Sequence, residues 1–158
     1  MLKHRVIPAL LLRNRGLVKT IRFKDPIYVG DPINAIRIFN EKEVDELVLL
    51  NITATREAER PPFKLIGEIA SECFMPLGYG GGIRSVEDIR ELFALGVEKV
   101  IINTRSIEDP DFIRRAADTF GNQSIVVSID ARRRILGRYE VCTHGGTRNT
   151  GIDPITHA

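Results

Sequence analysis

An α/β fold of parallel strands, of the (β/α)8-barrel type, is predicted by three features of the 158-residue sequence. Short apolar runs alternate with longer amphipathic ones, in β-α-β-α order throughout. The apolar runs lack the in/out alternation of a strand wet on one face, so they are buried on both sides. No dinucleotide-type glycine fingerprint follows the first strand, which disfavours an open doubly wound sheet.

Strands are expected at residues 6–11, 46–52, 75–79, 99–103 and 124–130. Helices are expected at 33–43, where Asp31-Pro32 supplies a cap and a first-turn proline, and at 85–95, opened by the capping-box pattern Ser85-Val86-Glu87-Asp88. Asp109-Pro110 repeats the Asp-Pro device for 110–119, and Gly96 and Gly121 sit where a left-handed residue ends a helix. Two stretches depart from the simple unit. Residues 13–30 read as a long basic connection carrying Arg13, Arg15, Lys19, Arg22 and Lys24. Residues 131–150 read as a hairpin attached to the end of the fifth strand. No linker or low-complexity segment divides the chain, so residues 1–158 are expected to form one unit.

Eight βα units take roughly 250 residues, whereas this sequence supplies about five and stops just inside the expected fifth helix. The prediction is therefore a half-barrel-like portion, with the first and fifth strands presenting unpaired apolar edges.

Composition narrows the function. Lys plus Arg (23) nearly balances Asp plus Glu (21), so no broad excess of either sign is available to hold a nucleic-acid backbone or an acidic membrane surface. Apolar runs such as Leu47-Val48-Leu49-Leu50 are far shorter than the ~18 to 20 residues of a spanning helix, and the default is a soluble cytoplasmic protein. Cys73 and Cys142 stand alone, without the clustering of a disulfide framework or a metal site.

Candidate chemistry collects at the C-terminal ends of the strands, where barrel enzymes place their sites. Gly80-Gly81-Gly82-Ile83-Arg84-Ser85 joins a buried strand to a capped helix. Its backbone N–H groups can approach a phosphate at the positive helix end, or the glycines can serve tight geometry alone. Asn103 and Thr104 end the next strand, and the two loops together favour a phosphorylated ligand. Asp130 places a carboxylate at the barrel mouth, as a general acid or base or as a partner of Arg132 or Arg133. Asn51 can orient a substrate but not exchange protons at neutral pH. His144, in a glycine-rich turn, reads as exposed and idle. At the N-terminal ends Arg5, Glu46 and Lys99 form a converging ring of mixed charge, which by itself reads as stability or solubility.

Taken in order, Arg5-Val6-Ile7-Pro8, Gly30-Asp31-Pro32, Glu46-Leu47-Val48 leading to Asn51-Ile52-Thr53-Ala54, the 80–85 loop, Ile102-Asn103, Ser128-Ile129-Asp130-Ala131 and Asn149-Thr150-Gly151-Ile152 resemble the cyclase subunit of imidazole glycerol phosphate synthase, the HisF family. The resemblance implies a barrel that takes ammonia from a glutaminase (HisH-like) subunit at its N-terminal face and passes it to a phosphorylated ribonucleotide at the other, without metal or redox cofactor. It implies that Gly81, Gly82, Asn103 and Thr104 bind a phosphate, that Lys19 contacts substrate from the first connection, and that Asp130 is one acid/base carboxylate. Arg5, Glu46 and Lys99 match the family's charged ammonia gate.

The departures are as informative. The family's Cys-Leu-Asp, whose aspartate is the other catalytic carboxylate, is here Ala9-Leu10-Leu11; the Asp before Ile-Thr-Ala is Asn51; a threonine before the glycine loop is Gly78. This pattern resembles HisF-like paralogues associated with sugar amidation in surface-polysaccharide (lipopolysaccharide) synthesis, where ammonia passes to a third enzyme, an amidotransferase acting on a sugar substrate. The alternatives are a genuine histidine-pathway lyase with its second carboxylate relocated, for instance to Asp25, and an inactive fragment.

Overall fold

The computed structural model describes residues 4–21, 24–134 and 137–158; Arg22 of the basic connection lies outside them. In chain order the elements are β1 (Ala9–Arg13), β2 (Gly16–Ile21), β3 (Lys24–Gly30), α1 (Pro32–Glu41), β4 (Leu47–Asn51), α2 (Phe63–Glu72), β5 (Leu77–Gly80), α3 (Val86–Ala94), β6 (Lys99–Ile102), α4 (Thr104–Glu108), α5 (Pro110–Phe120), β7 (Ile125–Val127), β8 (Asp130–Arg133), β9 (Tyr139–Thr143), β10 (Arg148–Asn149) and α6 (Pro154–His157). One sheet has the order β3-β2-β1-β4-β5-β6-β7, and a smaller one the order β10-β9-β8. The neighbours β1/β4, β4/β5, β5/β6 and β6/β7 are all parallel, as five successive βα units require.

Strand alternation divides the sheet's side chains into two layers. Leu47, Leu49, Leu77, Tyr79, Val100 and Ile102 are buried in the core with Ile66, Ile69, Ile89, Leu92 and Phe112 of the helices. The registers Ala9↔Val48, Val48↔Gly78, Gly78↔Lys99 and Ile101↔Val126 put Ala9, Leu11, Val48, Leu50, Gly78, Gly80, Ile101 and Val126 on the opposite, inward face. The sheet thus has apolar side chains on both faces, which accounts for the continuous apolar runs.

Local signals are used as written at two helix starts. Asp31 accepts hydrogen bonds from the Ile33 and Asn34 N–H groups, and Ser85 and Asp88 form a reciprocal capping box. Gly96 and Gly121 end their helices with φ of 99° and 90°. Asp109 differs. It makes no side-chain cap, because its carboxylate instead takes Arg105 (3.2 Å) and Arg115 (2.9 Å).

Three expectations need correction. The 13–30 connection is a pair of antiparallel strands. Val18, Thr20, Ile21, Ile27, Tyr28 and Val29 supply the β-branched and aromatic residues of a strand pair that adds onto the C-terminal half of β1, through Leu11↔Val18 and Leu12↔Leu17. The expected bare edge of the first strand is therefore partly covered. The first strand also begins at Ala9 rather than residue 6, since Pro8 has no N–H for a ladder. Finally, the fifth parallel strand ends at Val127, and Asp130 opens the small sheet, paired with Cys142. The hairpin expected at 131–150 is that sheet.

Candidate functional site

A cavity of about 530 Å³ opens at the C-terminal ends of the strands, bounded by Leu11, Leu50, Asn51, Gly80, Gly81, Gly82, Asn103, Thr104, Asp130 and His144 among others. Its floor is the glycine loop. Gly81 (φ 117°) and Gly82 (φ 74°) both occupy the left-handed region. A Cβ on Gly81 would stand 2.4 Å from the Asn51 carbonyl oxygen, and one on Gly82 would stand 2.6 Å from that of Glu59. Close approach of backbone to backbone accounts for both glycines. The same approach leaves bare peptide groups facing the cavity.

The start of α3 is closed by a capping box. Asp88 Oδ2 accepts from the Arg84 and Ser85 N–H groups, Ser85 Oγ accepts from Asp88 N–H, and Arg60 Nη2 closes on Asp88 Oδ1 at 2.7 Å. The Arg84 and Ser85 N–H groups are thus taken by Asp88, and Gly80, Gly81 and Gly82 border the cavity. Burial pushes the Asp88 carboxyl up, but the N–H groups and Arg60 outweigh it and hold the carboxyl below its ordinary value. With a folded value below the unfolded one, the stabilisation is fully present above about pH 4 and disappears as pH falls through the folded value. Asp88→Asn is thus expected to lower the urea midpoint at pH 7 and to flatten its decline between pH 5 and 3. An unchanged acid limb would contradict this assignment.

Asn103 and Thr104 reach the cavity from the end of β6, partly engaged: Asn103 Nδ2 donates to the Ser128 carbonyl (3.0 Å), and Thr104 Oγ1 accepts from His144 N–H (3.1 Å). Asn51 lines the cavity too, but its Oδ1 accepts from the N–H groups of Thr53 and Ala54 and from Thr53 Oγ1. Its acceptor is committed to shaping the loop. Asp130 reaches the cavity half-buried, and burial pushes its carboxyl above the ordinary value with no opposing cation. Arg132 is no partner to it, since that side chain donates to the Gly146 carbonyl.

Leu11 forms an apolar wall of the same cavity. Lys19 lies on β2, exposed and paired with Ile27, outside the lining; its neighbour Thr20 lines the cavity instead. Asp25 is the second residue of β3, with φ 50°, also outside the lining. His144 corrects the sequence reading. Its side chain is 16% exposed, with Nδ1 3.1 Å from Thr143 Oγ1 and Nε2 4.0 Å from Glu108 Oε1. Arg105 and Glu108 complete the rim, and no sequence signal distinguished them because α4 was not expected.

At the other pole Arg5, Glu46 and Lys99 do converge. Glu46 Oε2 takes Arg5 Nη2 at 2.9 Å and Lys99 Nζ at 2.6 Å, with Glu46 only 3% exposed. The three flank a second cavity, of about 470 Å³, with Ile7, Val48 and Ile101. Ile101 lines both cavities, which adjoin at this inward-facing side chain. Among the described residues no three His, Cys, Asp or Glu side chains are placed to hold a metal, and no helix is long and apolar enough to cross a membrane.

Parallel βα units with a cavity at the C-terminal strand ends define a protein of the TIM-barrel class. The chain belongs to the histidine biosynthesis protein family, whose model matches residues 5–158. Within that family it is HisF-like. It is 57% identical over its whole length to a protein of Pseudomonas aeruginosa provisionally named imidazole glycerol phosphate synthase subunit hisF2, covering 63% of that relative. Similarly named proteins of Leptospira interrogans (HisF) and Vibrio vulnificus (hisF3) are 52% and 50% identical over 98% of the chain, covering 61% and 60% of their own lengths. The chain thus spans about three fifths of the relatives it matches, corresponding to five βα units of the barrel.

Proposed function

We propose that this HisF-like chain receives ammonia from a HisH-like glutaminase subunit at the Arg5–Glu46–Lys99 pole and conducts it along the inward sheet face toward the glycine-loop cavity. One observation carries the reading: at the charged end Arg5 and Lys99 both close on Glu46, while at the other end the unpaired carboxylate of Asp130 shares its cavity with an apolar Leu11. Ring-closing chemistry needs proton transfer at two points, and a leucine performs none. The ammonia then serves a third enzyme, an amidotransferase for a sugar of surface polysaccharide, and the work is cytoplasmic. Gly81, Gly82, Asn103 and Thr104 hold a phosphate group of a ribonucleotide or sugar ligand. Lys19, exposed on its hairpin, contacts that ligand only when the hairpin folds over the cavity.

The histidine-pathway alternative is favoured by one feature, the raised carboxyl of Asp130 within the cavity. Against it, Asp25 is not in the lining, and the other lining carboxylate, Glu108, stands 4.0 Å from Arg105 and from His144. The test is glutamine hydrolysis by a HisH-type subunit from the same organism, with and without the chain. Hydrolysis is expected to rise when the chain is added and to be insensitive to Asp130→Asn. No stimulation at all would overturn the reading.

A further inference from the structure

Three side chains on the α4 side of the cavity stand close together without bonding to one another. Glu108 Oε1 lies 4.0 Å from His144 Nε2, and Glu108 Oε2 lies 4.0 Å from Arg105 Nη1. Both separations exceed the ~3.2 Å reach of an N–H···O hydrogen bond. Among the described residues neither nitrogen has another hydrogen-bond partner, and neither is sealed from solvent, in contrast to Arg105 Nε, which is buried. All three residues line the cavity, as do Asn103 and Thr104.

Contacts outside the trio hold it in place. Arg105 donates from Nη2 to Asp109 at 3.2 Å, and its guanidinium lies 5.8 Å from the centre of the Phe112 ring. His144 is fixed through its backbone: its N–H donates to Thr104 Oγ1 at 3.1 Å, its carbonyl accepts from Thr147 Oγ1 at 2.8 Å, and Arg132 donates to the Gly146 carbonyl in the same turn. That turn runs left-handed through His144 (φ 53°), Gly145 (φ 64°) and Gly146 (φ 77°). A third glycine would adopt the conformation without strain, so the turn carries its imidazole at a backbone cost, and such costs collect at functional sites. Nδ1 meets Thr143 Oγ1 at 3.1 Å, which leaves Nε2 as the free ring nitrogen.

The charges around the gap decide what it suits. Asp109 already takes Arg105, and the Glu108 carboxylate repels a further anion, so a neutral polar group fits better than a second phosphate. A hydroxyl meets every edge: it donates to Glu108, accepts from Arg105 Nη1, and pairs with His144 Nε2 whichever ring nitrogen carries the proton. We infer that Arg105, Glu108 and His144 form a subsite for the sugar hydroxyls of the ligand whose phosphate is assigned to Gly81, Gly82, Asn103 and Thr104. This rests on the proposed phosphate site and names what that phosphate is attached to, a furanose or a pyranose with adjacent hydroxyl groups. Thr104 joins the two subsites, since its hydroxyl accepts from the His144 backbone.

The experiment titrates the full chain with inorganic phosphate, ribose 5-phosphate and glucose 6-phosphate and follows the amide NMR signals of Gly81, Gly82 and Thr104. At least one sugar phosphate is expected to bind about 10-fold or more tighter than inorganic phosphate, and the better of the two distinguishes furanose from pyranose. In Glu108→Ala, and in His144→Gly, which retains the left-handed turn, that advantage is expected to fall to about 3-fold or less. The readout is a ratio of affinities within one variant, and the melting temperature of each variant shows that it is folded. Sugar phosphates no tighter than inorganic phosphate, or an advantage intact in both variants, would overturn the subsite and leave the phosphate reading standing. A wild-type chain whose signals respond to none of the three probes would overturn both.

Discussion

Gly81→Ala is expected to destabilise the chain by about 3 kcal/mol, combining the cost of a left-handed alanine with overpacking. The two penalties are coupled. At φ 117° the added Cβ would stand 2.4 Å from the Asn51 carbonyl oxygen and 2.9 Å from Asn51 Cβ, so neither the glycine loop nor the end of β4 can yield without moving the other. The loop that Asn51 organises through Thr53 and Ala54 is displaced as well, and the floor of the cavity with it. A urea titration reads the loss as a lower midpoint at unchanged slope. Gly67→Ala, inside α2 and against only the end of Leu95, is expected to stay within about 1 kcal/mol of wild type. A Gly81→Ala variant as stable as wild type would show that the loop is pliant and that its glycines are not required by packing.

The second large effect is expected at the opposite end. Lys99→Ala removes the shorter of the two contacts to Glu46 Oε2 and leaves a nearly buried carboxylate with Arg5 alone, whose side chain is 55% exposed. Breaking one arm of a buried ion cluster costs more than the pair contributed, because the remaining charge has lost its compensation; about 2 kcal/mol is the scale here, given the surviving Arg5 contact. In a complex with the glutaminase, the variant is expected to hydrolyse glutamine while releasing a larger share of ammonia to bulk solvent. Adding Glu46→Gln restores much of the stability by removing the stranded charge, yet not the coupling. Ammonia leakage equal to wild type in Lys99→Ala would remove the cluster from the conduit.

The parallel sheet was legible because its strands carry apolar side chains on both faces, as in the run Leu47-Val48-Leu49-Leu50, even where the edge strand β7 leaves Val126 and Val127 exposed. Helix starts were legible where the capping atom is local, as at Asp31 and Ser85. Asp109 shows the limit: the same Asp-Pro pair is present, but two arginines, one of them six residues away, compete successfully for its carboxylate. The β2–β3 pair was obscured because the sequence there is basic at loop-like density, Lys19 and Lys24 standing on the strands, and only pairing with β1 fixes its apolar face. The site was legible as a set of strand ends. The state of each group was not, since Asn51 Oδ1, the start of α3 and His144 are each defined by contacts made with other parts of the chain.

Leu11 tests the account most directly. It lines the same cavity as Asp130, so the single change Leu11→Asp adds a second unpaired carboxylate there, on a strand otherwise in register with β4. The decisive measurement compares wild type and Leu11→Asp for ring closure of the formimino ribonucleotide substrate with ammonium chloride as nitrogen source. Wild type is expected to show no turnover, and Leu11→Asp a measurable gain that is lost again on adding Asp130→Asn. Robust turnover by the wild-type chain, abolished by Asp130→Asn alone, would contradict it and make this chain a cyclase in its own right.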